Sequence, residues 1–265
     1  MKEIKRDSAV INYKVSGGGD TTLLFVHGSY IDQSYWDDQV KHFSPDYKVV
    51  TFDLPGQGKS GRDRSKWSVK GYAEDVIAVV HELDLKNVIL IGHSLAGDIN
   101  LVAATSSPKD FIGFIAIDFF KNAATALPDE FQSQVATILD NLKKDFAQTN
   151  EQYARMALLT SQTPVPIVER VVKDYRNAYR PMGMEIMPEI FEIYKTEGEL
   201  LPLLSFKLYL INVDYMPTNE EALKKYPGNG YKLKHMKGTS HYPMLEDAAT
   251  LNKLLEQMIT DIEKK

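Results

Sequence analysis

Apolar residues along this chain follow two alternating rhythms: short continuous runs that stop at glycine or proline, and longer stretches with apolar positions three and four apart. TLLFVHG (22–28) and YKVVTFDLPG (47–56) are rich in β-branched and aromatic residues and read as buried parallel strands. Residues 33–43 between them fit a short helix. Residues 69–85 place Tyr72, Val76, Val79, Val80 and Leu83 at helical spacing, VILIG (88–92) follows as a strand, 95–105 as a helix and FIGFIAID (111–118) as another strand. Upstream, residues 2–6 and 9–15 alternate polar and apolar positions and predict a hairpin turning at Asp7 and Ser8, before a loop of three glycines at 17–19. Strand–helix alternation with short crossovers predicts an α/β fold, a doubly wound and mostly parallel sheet with an antiparallel start.

The rhythm breaks over residues 122–204, where DEFQSQVATILDNLKK, EQYARMALL and VERVVKDYRNA carry helical spacing and no convincing strand occurs. Strands resume with KLYLINVD (207–214) and YKLKHM (231–236), and 248–264 supplies a closing helix. Residues 1–121 and 205–265 should therefore form one core domain, with 122–204 a helical cap inserted after the sixth strand.

Composition narrows the functional classes. The 265 residues carry 31 basic and 36 acidic side chains interspersed, a net charge of −5, so no extended basic face exists to hold a nucleic-acid backbone. The absence of cysteine excludes disulfides, a thiol nucleophile and thiolate metal sites. No apolar run approaches membrane-spanning length, and the charged, alternating N-terminus is unlike a signal peptide, so a cytoplasmic protein with a small-molecule partner is expected.

Candidate chemistry centres on VILIGHSLAGDI (88–99). Gly92 and Ser94 match the start of G-x-S-x-G, a sharp strand-to-helix turn that presents a nucleophilic serine, although Ala96 stands where the last glycine belongs and Gly97 comes one place late. A weak serine nucleophile needs a base, and the base an acid to orient it. His241, in the loop GTSHYPMLED beyond the last strand, is the histidine with the right placement; His27 and His93 read as structural, and His42, His81 and His235 as surface or packed. Two aspartates follow strands from which they could reach it: Asp214, favoured by chain order, and Asp118 as the alternative. An oxyanion hole would use the N–H groups of Leu95 and Ser29.

Taken together, FVHGSY, DLPGQGKS (53–60), IGHSLAG and GTSHYPMLED resemble the α/β-hydrolase superfamily, in the branch with a helical cap, in family order over nearly the whole chain. That resemblance implies Ser94 as nucleophile, His241 as base and Leu95 and Ser29 as oxyanion donors, with no cofactor or metal. Serine at position 94 disfavours the dehalogenase and epoxide hydrolase branches, which resemble it with aspartate there. The expected reaction is hydrolysis of an ester, thioester or related carbonyl through an acyl-enzyme. Carbon–carbon bond hydrolysis, hydroxynitrile-type lyase chemistry and a slow-turnover ligand receptor are the alternatives, because fold alone does not decide function. Tyr30, Met156, Met184 and Met187 are expected to line an apolar pocket under the cap, methionine being suited to irregular apolar walls.

Overall fold

The computed structural model describes residues 2–6 and 8–264. The chain opens with a hairpin of β1 (Lys2–Arg6) and β2 (Ala9–Ser16), paired antiparallel with Ile4 opposite Ile11; Asp7, half of the expected turn, lies outside the described residues. β3 (Thr22–Val26), α1 (Asp37–Phe43), β4 (Lys48–Phe52), α2 (Val69–Glu82), β5 (Val88–His93), α3 (Ala96–Ser106) and β6 (Phe111–Ile117) then alternate. β3 and β5 are buried along their whole length, as continuous apolar strands covered by helices on both faces must be. Ser68 caps α2 by accepting from the N–H of Gly71.

After β6 the chain passes through α4 (Asp129–Lys144), α5 (Phe146–Tyr153), a π-helical turn (Ala154–Leu158), α6 (Val165–Arg176), α7 (Arg180–Glu192) and α8 (Tyr194–Leu200) before re-entering the sheet as β7 (Leu208–Val213). Next come α9 (Glu220–Lys225), β8 (Tyr231–Met236), α10 (Pro243–Glu246) and α11 (Ala248–Glu263). The last helix buries Leu251, Leu255, Met258, Ile259 and Ile262 along one stripe against the sheet.

The eight strands lie in the order β1-β2-β4-β3-β5-β6-β7-β8, antiparallel at β1–β2 and β2–β4 and parallel across the remaining pairs. β8 is an edge strand bearing Lys232 and Lys234, which discourage further pairing. The strand order reverses direction around β3, with β4 on one side and β5 on the other. In open α/β sheets the crevice beyond the strand ends at such a switch point is where ligands bind.

Candidate active site

Ser94 opens the two-residue turn between β5 and α3, ahead of Leu95, with φ of 54°. That left-handed conformation is costly for a residue with a Cβ and persists only where the surroundings hold it. Here the Ser94 N–H donates to the Ile117 carbonyl at 3.1 Å, and the Ser94 carbonyl accepts from Gly97 N–H at 2.6 Å. The tightness of the turn explains Gly92: a Cβ there would sit 2.5 Å from Asn100 Nδ2 and 2.7 Å from the Ala96 carbonyl oxygen. Ala96 itself is fully buried and accommodated. A Cβ on Gly28 would lie 3.1 Å from the Ser94 Cβ, so the loop after β3 also needs glycine to pass this close.

Ser94 opens into a cavity of about 280 Å³ together with Ser29, Tyr30, Leu95 and His241. The N–H groups of Ser29 and Leu95 face no acceptor among the described residues, and that of Leu95 stands at the N-terminus of α3, where the helix dipole favours negative charge. Tyr30 adopts φ of 64° and donates its own N–H to Gln57 Oε1, which fixes the loop carrying Ser29.

His241 lies in the loop between β8 and α10, which recrosses the sheet as far as β5. Its N–H donates to the Leu158 carbonyl at 3.0 Å and its carbonyl accepts from His93 Nε2 at 2.7 Å. Burial, followed by the nearby His241 ring, holds the pKa of His93 well below the ordinary histidine range, so this ring is a neutral brace. His27 is likewise structural, its Nε2 accepting from Leu54 N–H. The Nε2 of His241 is buried without a partner among the described residues, and no hydrogen bond joins it to Ser94.

The carboxylate that meets His241 belongs to Asp118: Oδ2 is 2.5 Å from Nδ1. This corrects the expectation of Asp214. Asp118 turns with φ of 49° at the end of β6, and its Oδ1 accepts from Val213 N–H at the end of the neighbouring β7. Asp214 is exposed beyond β7, with Oδ1 accepting from Gly238 N–H, and it ties two strand ends together. Burial alone would raise the Asp118 carboxyl, but His241 and Lys121 overcome that and hold it below the usual carboxylate range.

The helices between β6 and β7 form the far wall. Tyr153 and Tyr175, stacked at 6.4 Å, face the cavity with Ala157, Leu158, Met187, Ile190 and Phe191, while Phe119, Tyr215 and Met216 complete it from the core. Of the expected pocket residues, Tyr30 and Met187 line this space. Met156 does not: the π-helical turn shifts the face of the helix, bringing Ala157 and Leu158 inward and leaving Met156 85% exposed. Met184, one helical turn before Met187, packs half-buried against the core and does not reach the cavity. Phe119 and Tyr215 were not marked by sequence reasoning, although each directly follows one of the two candidate aspartates. Among the described residues no cluster of three or more His, Asp or Glu side chains could hold a metal ion, and no helix is long and apolar enough to cross a membrane.

Residues 23–254 match the model of the alpha/beta hydrolase family. The chain belongs to this family. Among curated relatives, this alpha/beta hydrolase is 36% identical over 110 residues to the karrikin insensitive 2 receptor CA of Petunia hybrida, covering 40% of the chain and 41% of the relative. It is 31% identical over 113 residues to strigolactone esterase D14 of Arabidopsis thaliana, covering 41% and 42%. Each match thus spans about two fifths of the relative's length. A solved esterase from Thermogutta terrifontis superposes with a TM-score of 0.81 at 16% identity, covering 96% of this hydrolase and 94% of that chain, a likeness of fold.

Proposed function

We propose that this alpha/beta hydrolase cleaves an ester, thioester or related carbonyl substrate of small to medium size through an acyl-enzyme. Residues 122–204 act as a cap over the reacting centre. Ser94 Oγ attacks the carbonyl carbon and its proton passes to His241 Nε2. The oxyanion takes hydrogen bonds from the N–H groups of Ser29 and Leu95. Collapse of the tetrahedral intermediate breaks the bond to the leaving alcohol or thiol, which takes the proton from His241. Water then attacks the acyl-enzyme with His241 again as base, releasing the acid and restoring Ser94. Asp118 holds His241 in the tautomer that leaves Nε2 free to accept, and it stabilises the imidazolium.

The observation that carries this reading is the convergence on one cavity of a serine in a strained turn, an imidazole paired with a buried carboxylate, and two N–H groups without a partner among the described residues. A cavity of about 280 Å³ with a largely apolar wall suits a short acyl chain or a single ring. Aryl esters of increasing acyl length, assayed with the parent and with Ser94→Ala, test it. Turnover and fluorophosphonate labelling that both vanish in Ser94→Ala are the expected result, and turnover that survives the substitution overturns the reading.

A ligand receptor with slow turnover is the second reading, favoured by the receptor name of one relative. It differs in outcome: saturable binding of a small ligand, with Ser94→Ala retaining affinity and the parent turning over only a few equivalents.

A further inference from the structure

Asp118 meets more than His241. Its second oxygen, Oδ1, accepts from Lys121 Nζ at 2.7 Å as well as from Val213 N–H at 3.1 Å. The carboxylate is 1% exposed and the lysine side chain 13%. Lys121 is fixed from three directions, since Nζ also donates to the Val213 carbonyl at 3.0 Å and lies 4.2 Å from the centre of the Tyr215 ring. The Tyr215 hydroxyl in turn sits 3.4 Å from His241 Nδ1.

A lysine bound to a triad carboxylate acts in two opposed ways. By occupying one oxygen it leaves the other directed at the imidazole. Its charge also cancels part of the field that would stabilise an imidazolium. We propose that Lys121 is a positioning residue for the Asp118–His241 pair, one that orients the carboxylate through Oδ1 and sets how far into acid His241 continues to work as a base. This rests on His241 being the base of the reaction proposed above.

The imidazole and phenols around the pair are neutral. His93, with its ring centre 4.4 Å from that of His241, is kept uncharged by burial; the Tyr215 and Tyr242 phenols are driven upward by burial and stay protonated. Glu197 lines an adjoining cavity of about 300 Å³ with Asp118 and Lys121; burial raises its carboxyl, it accepts from Ala124 N–H, and it brings no positive charge to the pair. Lys121 is therefore the cation in contact with the pair among the described residues.

The test compares kcat/KM against pH for the parent, Lys121→Met and Lys121→Arg on a short-chain aryl ester, together with an NMR titration of the His241 ring protons. In Lys121→Met the acid limb should move up by about one pH unit, and Lys121→Arg should return most of it. A rate lowered equally at every pH, with the limb unmoved, overturns the proposal and reduces Lys121 to a structural role. Ser94-independent turnover in the parent would instead defeat the reading of the reaction. The NMR titration needs no turnover: a curve displaced to higher pH in Lys121→Met supports the proposal and an undisplaced curve overturns it. Lys121→Gln serves both measurements if melting shows that the methionine variant is unfolded.

Discussion

Asp118 and His241, 123 residues apart in the chain, meet with 2.5 Å between Oδ2 and Nδ1, so the carboxylate at the end of β6 and not the one after β7 fixes the imidazole. Asp118→Asn should lower kcat by about 10³- to 10⁴-fold, since an amide favours the wrong tautomer. Asp214→Asn alters an exposed side chain that accepts from Gly238 N–H, and it should keep kcat within about twofold. Steady-state rates on one ester decide the matter, and a larger loss in Asp214→Asn would refute the assignment.

Asp98 in α3 and Glu197 in α8 are electrostatically neighbouring carboxyls, with 1% and 6% of their surfaces exposed. Burial, and for Asp98 the neighbouring Glu197 charge, raises both above the ordinary carboxylate range. The folded pair thus keeps a proton to higher pH than the unfolded chain does. Its contribution to stability is complete below the unfolded carboxylate range, about pH 4, and is lost as pH rises through the raised folded range. Asp98→Asn donates to Glu197 without needing that proton. Its melting temperature should exceed the parent's at about pH 8, by about 2–4 °C for each kcal/mol recovered, and the gain should shrink towards about pH 5. Melting curves showing an equal gain at both pH values would exclude the shared proton.

Gly97 carries the ring of Phe119, whose Cδ1 would lie 2.1 Å from an added Cβ. Since Phe119 also lines the Ser94 cavity, Gly97→Ala should displace that ring and change the preferred acyl length, with an overpacking cost of about 1–3 kcal/mol. Ala96→Gly removes only a buried methyl and should leave the acyl preference as it was. Acyl-length profiles of both variants provide the readout, and an unaltered profile in Gly97→Ala would refute the link.

Met187 and Met156 separate wall from surface. Met187 is 4% exposed and faces the cavity, so Met187→Ala should extend the preference to longer acyl groups and cost about 2–5 kcal/mol. Met156→Ala, at a residue 85% exposed, should alter neither. Denaturant melts paired with the ester series distinguish the two outcomes.

The strand runs and helical spacings were sufficient to anticipate β3 to β8 and the helical stretch after β6, because buried parallel strands and amphipathic helices leave local signatures. Ser94 was legible for the same reason: Gly92 and the small residues beyond it answer a steric demand made within a few residues. The choice of acid was not, since it depends on where the loop after β8 recrosses the sheet, and nothing local to Asp118 or Asp214 records that. The outward placement of Met156 arises from one π-helical turn, which an apolar pattern read at 3.6 residues per turn does not anticipate.

Asp118 stands at the last point where the chain still belongs to the sheet, and Lys121 ties the segment that follows back to it before the helical excursion begins. The partner of His241 and the root of the helical stretch are therefore one splice site. Replacing or trimming the helices between β6 and β7 must be cut downstream of Lys121, because a junction three residues earlier would exchange the cavity wall and remove the lysine that holds Asp118 in the same stroke.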